Sequence, residues 1–189
     1  MKRAAFREQI ATAAPEDLVF VDETGANVRL TRLYARAPRG ERAVGRVPRN
    51  HGTSTTLVAA LTPDGLEAPR QHLGAMTTAR FVDYVRDVLC PTLRPGQVVV
   101  LDNLSAHTSA AVRTLIEAAD CTLLYLPAYS PDYAPIELAY AKVKATLRRL
   151  GARTQEALTT AIDTAVATVP AQDARAFFAH CGYSLAQPT

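Results

Sequence analysis

Two runs of four apolar residues each stop at an aspartate: Leu18-Val19-Phe20-Val21 before Asp22, and Val98-Val99-Val100-Leu101 before Asp102. Short runs without polar alternation, rich in β-branched residues, read as buried strands. Further strands are expected at 28–34, where Val28, Leu30 and Leu33 alternate imperfectly, at 54–61, near 66–73 and at 121–126, with Thr62-Pro63-Asp64-Gly65 as a turn. Apolar residues at helical spacing, Phe81, Val82, Val85, Val88 and Leu89, predict one helix from Thr77 or Thr78 to about Leu89. Other helices are expected from Thr108 or Ser109 to about Ala119, from Pro135 to Leu150 with Gly151 as its stop, from Thr154 to about Val169, and over 171–180. Strands first, then helix and strand in alternation, then helices: this order predicts an α/β layered domain.

The two strand-end aspartates gain meaning from a third acid. Glu137 follows Pro135 in the first turn of an expected helix, and 34 residues separate it from Asp102. Two acids at strand ends and one at a helix start can converge from distant parts of the chain. Three such carboxylates hold a pair of divalent metals, and paired metals activate a water or hydroxyl against a phosphodiester. Glu137 in a first turn also suits the helix dipole. Glu23 adjoins Asp22, but neighbouring strand residues point to opposite faces, so it is expected behind the metal ligands in support of them, or on the surface.

Composition narrows the class. The chain has 189 residues, 48% of them apolar, enough for one domain with a core of its own. No apolar run has transmembrane length, and the basic start Met1-Lys2-Arg3-Ala4-Ala5-Phe6 leads into no signal-peptide core. A cytoplasmic, nucleoid-associated protein without a membrane partner is expected. Cys90, Cys121 and Cys181 are odd in number and far apart, so small core residues are expected rather than a metal or redox motif. The net charge of +3 is unevenly spread. Arg29, Arg32, Arg36, Arg39, Arg42, Arg46 and Arg49 are seven of the 21 basic residues and fall within 21 positions, opposed only by Glu41 and broken by Pro38, Gly40, Gly45 and Pro48. Such a stretch reads as a projecting loop suited to nucleic-acid phosphates, or else as a solvated surface loop.

The segments Val21-Asp22-Glu23-Thr24, Leu101-Asp102-Asn103 with His107, and Leu126-Pro127-Ala128-Tyr129-Ser130-Pro131-Asp132-Tyr133-Ala134-Pro135-Ile136-Glu137 resemble bacterial insertion-sequence transposases of the mariner superfamily. That group carries two aspartates and a third acid with this 34-residue spacing. The resemblance runs from about Leu18 to Tyr183. It implies a ribonuclease H-like fold with a mixed central sheet flanked by helices. It makes 1–17 an extension or linker, 18–183 the catalytic domain and 184–189 a tail. It implies a DNA transposase that cleaves transposon ends and joins the 3′ hydroxyl to target DNA at a TA dinucleotide. Two Mg²⁺ ions, replaceable by Mn²⁺, would sit on Asp22, Asp102 and Glu137. A homodimer and a separate helix-turn-helix half would be partners. Two alternatives stay open: a ribonuclease H-type nuclease, and a decayed or isolated half that binds DNA without catalysis.

Other residues are candidates for supporting roles. Arg36, Arg39, Arg42, Arg46 and Arg49 are expected on DNA. So are Lys144 and Arg148, placed by helical periodicity on the same helix face as Glu137; a solvated face is the alternative. Asn103 is expected to orient a phosphate or water, or to be a turn residue. His107 is expected to contact DNA or tune the site, or to bond helix-start backbone. The three prolines before Glu137 stiffen its approach, and Asp132 is expected in a turn. Ala134 stands where many relatives have asparagine, and many relatives have tryptophan or another large aromatic near Tyr140.

Overall fold

The computed structural model describes residues 3–184. Five strands form one mixed sheet in the order β3-β2-β1-β4-β5. They are β1 (Leu18–Ala26), β2 (Thr55–Thr62), β3 (Gly65–Leu73), β4 (Val98–Leu101) and β5 (Thr122–Tyr125). β1, β2 and β3 form an antiparallel meander, whereas β1–β4 and β4–β5 are parallel. Parallel neighbours require crossovers, and these are supplied by helices α2 (Thr78–Tyr84) and α3 (Ala110–Ala118). Both helices cover one face of the sheet, where Phe81, Val85, Val112 and Ile116 pack on Val19, Val21, Val58 and Val99.

The other face belongs to α4 (Pro135–Leu150), α5 (Gln155–Val166) and α6 (Ala171–His180). Ile136, Tyr140, Val143 and Leu147 of α4 fall at helical spacing and meet Phe20, Leu57 and Leu61 of the sheet. Phe20 sits between Phe178, edge-on with ring centres 5.5 Å apart, and Tyr183 at 5.2 Å. Burying each such ring contributes roughly 2–3 kcal/mol. α4 stops at Gly151, whose φ of 63° lets its N–H return to the Leu147 carbonyl.

Three expectations change. The stretch 28–34 is not a strand: it lies in an irregular segment between β1 and β2. Its weak alternation finds no neighbouring strand, and the carbonyls of Val28 and Leu30 accept from Arg153 Nη1 instead. The helix expected to reach Leu89 is α-helical only to Tyr84; a wider π turn over Val85–Leu89 follows, keeping both end residues of that turn buried. The stretch expected to be an extension or linker holds helix α1 (Arg3–Ile10). Its Phe6 and Ile10 enter the core, with Phe6 stacked on Tyr133 at 5.5 Å. Of the expected 1–17 and 184–189 segments, residues 1–2 and 185–189 lie outside the described residues.

Candidate active site

β1 and β4 run side by side only as far as the pair Phe20 and Val100. Beyond it β4 ends, while β1 continues with β2 to the pair Ala26 and Thr55. Asp22 therefore lies within β1 rather than at its tip, but at the carboxyl end of the parallel ladder. The opening left there is a cavity of about 440 Å³, lined by Asp22, Asp102 and Glu137 together with the proline loop. Open α/β sheets place ligands at such strand ends.

Asp22 shares the α4 side of the sheet with Phe20, two residues earlier. Its Oδ1 accepts from the Glu23 N–H at 2.8 Å. The Tyr140 hydroxyl donates to its main-chain carbonyl at 2.5 Å. Tyr140 stands one turn beyond Glu137 on α4, so one helix both presents the third acid and grips the strand that carries the first. Burial, then the charges of Glu23, Asp102 and Glu137, outweigh the Glu23 N–H bond and push the Asp22 carboxyl up to about 7.

Asp102 is held differently. Its Oδ1 accepts from the Leu104 N–H at 3.0 Å and from His107 Nδ1 at 2.5 Å. His107 is fully buried, with its ring 4.2 Å from that of Phe81, and its carbonyl accepts from the Tyr125 hydroxyl. Its Nε2 lies 2.8 Å from Glu23 Oε2, near enough for an ion pair but out of line for a hydrogen bond. Burial opposes charge on the ring, yet the two carboxylates prevail and raise its pKa to about 9. Burial likewise opposes the charge of Asp102, and the bonds from His107 and Leu104 outweigh it, leaving that carboxyl below its ordinary pKa. An imidazolium thus bridges Asp102 and Glu23 across the strand ends. Buried, His107 has no surface to offer DNA.

Glu137 is exposed in the first turn of α4, and its N–H bonds to the Ala134 carbonyl. The preceding loop is anchored from several sides. Asp132 forms an ion pair with Arg3, and the Tyr133 carbonyl accepts from Tyr183. Ala134 is buried, and its own N–H bonds to the Pro131 carbonyl. Asn103 spends its amide on the Leu126 carbonyl, tying the loop after β4 to the start of this one. Tyr129, on the rim, is fully exposed and has a φ of 56°, a conformation uncommon for residues other than glycine.

The basic candidates separate. Arg36, Arg39, Arg42, Arg46 and Arg49 are all exposed in the irregular 27–54 segment, and none makes an ion pair among the described residues. The segment leaves β1 four residues past Asp22, about 13 Å along the strand. Arg148 shares a helix face with Glu137 but stands eleven residues on, about 16 Å along the axis. It lines a groove against the arginine-rich segment rather than the acid cavity, and Lys144 lines neither. Lys142, on another face, pairs with Asp173. Sequence patterns gave no sign of Arg153 as the anchor of the segment, of Glu23 as a partner of His107, or of the Tyr140 bond.

Among the described residues, no three His, Cys, Asp or Glu side chains form a group that could hold a metal ion in their present positions. The donor chemistry nevertheless fits a divalent cation. The cavity gathers three carboxylates, and no cation contributes to the shift of the most buried, Asp22.

Residues 17–159 match the family described as DDE superfamily endonuclease. No curated protein matches the chain. Several solved structures share its fold. The Mos1 strand transfer complex is 19% identical with a TM-score of 0.68, over 95% of this chain and 55% of that one. A Mos1 mariner paired end complex with Mn is 18% identical with a TM-score of 0.69, over 95% and 55%. The catalytic domain of Mos1 mariner transposase is 16% identical with a TM-score of 0.64, over 95% and 82%. The chain thus spans about 55% of the length of the Mos1 chains in those two complexes. The mixed sheet with helices on both faces is the ribonuclease H-like fold. No helix of the described residues is long and apolar enough to cross a membrane.

Proposed function

The chain belongs to the DDE superfamily endonuclease family, and we propose that it is the catalytic part of a DNA transposase. The observation that carries this is the convergence of Asp22, Asp102 and Glu137, from three distant elements, on one open cavity. The likeness to paired-end and strand transfer complexes of Mos1 supports transposition rather than simple hydrolysis.

In this proposal the three acids would hold two divalent ions, Mg²⁺ or Mn²⁺, which would supply Lewis acidity toward the scissile phosphate and toward a water or 3′ hydroxyl. The residues of the chain prepare that chemistry. His107 fixes the rotamer of Asp102 and keeps it ionised. Tyr140 fixes the main chain beneath Asp22. The proline loop limits where Glu137 can stand, and metal sites tolerate only about 0.5 Å of error. Arg36, Arg39, Arg42, Arg46 and Arg49 neutralise phosphates beside the cavity, and Arg148 extends that surface from below. Cleavage at the transposon end, followed by attack of the freed 3′ hydroxyl on target DNA at a TA step, uses this one site twice. Two ends require two active sites, hence a homodimer, and a helix-turn-helix half supplies recognition of the end sequence.

The test is Mn²⁺-dependent nicking of supercoiled plasmid, followed by joining of a pre-cleaved 3′-hydroxyl duplex. Wild type nicks and joins, whereas Asp102→Asn loses at least about a thousandfold in rate. Equal nicking by both proteins would remove Asp102 from the site. Nicking without joining would leave a nuclease, and salt-sensitive binding without either would leave a DNA-binding module.

A further inference from the structure

On the face of the sheet opposite α4, a second cavity of about 200 Å³ opens between β3 and α2. Arg70 and His72 enter it from alternate positions of β3, and Arg80 and Tyr84 from one face of α2. Two buried polar atoms here have no partner: His72 Nε2 and the hydroxyl of the fully buried Tyr84. Buried polar groups in native proteins are nearly always satisfied, so two orphans bordering one cavity require a reason.

The charges around them identify it. Arg70 makes no ion pair among the described residues, and Arg80 uses only Nη1, on the carbonyls of Leu73 and Ala75. The one acid lining the cavity, Asp83, is taken by Arg86 at 2.6 Å. Burial first, then the charges of Arg80 and Arg70, hold His72 below its ordinary pKa against a bond to the Ala75 main chain and the charge of Glu23. Both guanidiniums are exposed and hydrated, and the charge of Arg70 also reaches Asp87, but together they keep the rim positive, so a metal cation would be repelled. A tetrahedral oxyanion suits this rim, since guanidinium and phenol donate to it and His72 does so once its ring is protonated.

We propose that this cleft binds a phosphate oxyanion through Arg70, His72, Arg80 and Tyr84, and that in the working complex the phosphate belongs to a DNA backbone. The second clause rests on the function proposed above; the first does not. Register supports the connection. Glu23, Val58 and Arg70 lie opposite one another across β1, β2 and β3. Arg70 is therefore about 10 Å from Glu23, the carboxylate beside His107, or about three base-pair rises of DNA.

The probe is inorganic phosphate, titrated in EDTA while the imidazole resonances of the four histidines are followed. Saturable movement of His72 is expected, without the same movement in sodium chloride of equal ionic strength. Arg70→Ala and Tyr84→Phe each weaken phosphate about tenfold. Tyr84→Phe removes only an unpartnered hydroxyl, so its melting temperature in phosphate-free buffer stays unchanged and a folding defect is separable. A short duplex then displaces phosphate, and Arg70→Ala lowers the salt slope of duplex binding by about one. A His72 signal that ignores phosphate, or responds equally in Arg70→Ala, overturns the site. Phosphate binding with no competition from duplex overturns its assignment to DNA and leaves a small-oxyanion site. Because the titration needs neither metal nor cleavage, its failure is distinct from a failure to nick plasmid.

Discussion

Asp22 and Asp102 line the same cavity, on neighbouring parallel strands, yet the fold treats them in opposite ways. Asp102 has its countercharge built in: His107, fully buried, holds it ionised below the ordinary carboxylate pKa. Asp22 is surrounded by Glu23, Asp102 and Glu137 with only one N–H to help it, and its pKa rises to about 7. The difference separates two tasks. One acid is locked in place by the protein alone, and the other stands among like charges with no cation beside it.

The comparison breaks most sharply under paired substitutions. Asp22→Asn and Asp102→Asn should each lower metal-dependent nicking at least about a thousandfold. Their metal-free stabilities should diverge. Asp22→Asn removes a repelled charge and raises stability at pH 8 by on the order of 2 kcal/mol. Asp102→Asn strips the bonded countercharge from a buried ring and lowers it by about 1–2 kcal/mol, a figure kept small because Asp102 is half-exposed. Denaturant unfolding in EDTA checks both, and shifts of the same sign would erase the distinction.

Removing His107 tests the other side. His107→Ala leaves Glu23 and Asp102 close together without their shared cation and empties a space against Phe81, at a cost of about 3 kcal/mol. With its anchor gone, Asp102 should come to resemble Asp22. Carboxyl resonances followed over pH would show the Asp102 midpoint rising; an unmoved midpoint would mean that the Leu104 N–H alone sets it.

Acidity extends the contrast to the whole molecule. Between the ordinary carboxylate pKa and about 7, folded Asp22 binds more protons than the unfolded chain, so its ionisation erodes stability as pH rises. His107 adds stability in full below its ordinary pKa of 6.5 and loses it as pH rises through about 9. These two act in one direction, and His72, held below its ordinary pKa, opposes them only as pH rises to 6.5. The melting temperature in EDTA should therefore fall from pH 6.5 to pH 8.5, and Mg²⁺ or Mn²⁺ should recover most of the loss at the alkaline end by favouring ionised Asp22. A melting temperature that rises over that range in EDTA would refute the assignment.

How much of this the sequence carried depends on the kind of signal. Apolar runs stopped by Asp22 and Asp102, and the spacing to Glu137, are local patterns, and the structure gathers those three side chains on one cavity. Gly151 as the stop of α4 is equally local. Strand alternation correctly turned Glu23 away from Asp22, but it could not show that a histidine five residues past Asp102 would fold back beneath both strands. Helical periodicity put Arg148 on the face of Glu137 and said nothing of the 16 Å between them. The 28–34 stretch has a strand-like pattern without a partner strand, and partners are a property of topology. The phosphate cleft is the extreme case, since Arg70, His72, Arg80 and Tyr84 form no motif until β3 and α2 are packed together.

The smallest expected effect on nicking concerns the bond that joins the two sides of the cavity. Tyr140→Phe keeps the ring that fills the core between α4 and the sheet and deletes the hydroxyl that donates to the Asp22 carbonyl and accepts from the Ala59 N–H. The loss in stability should be about 2 kcal/mol, the net worth of two hydrogen bonds. Its consequence for catalysis should be specific. Glu137 and Tyr140 ride on one helix, so loosening the helix from β1 lets the first and third acids drift relative to each other while Asp102, locked by His107, stays put. The Mn²⁺ concentration required for half-maximal nicking should rise several-fold, with little change in DNA affinity. Equal requirements in Tyr140→Phe and wild type would mean that packing alone holds Asp22 in register, and that the hydroxyl serves only to satisfy the main chain of Asp22 and Ala59.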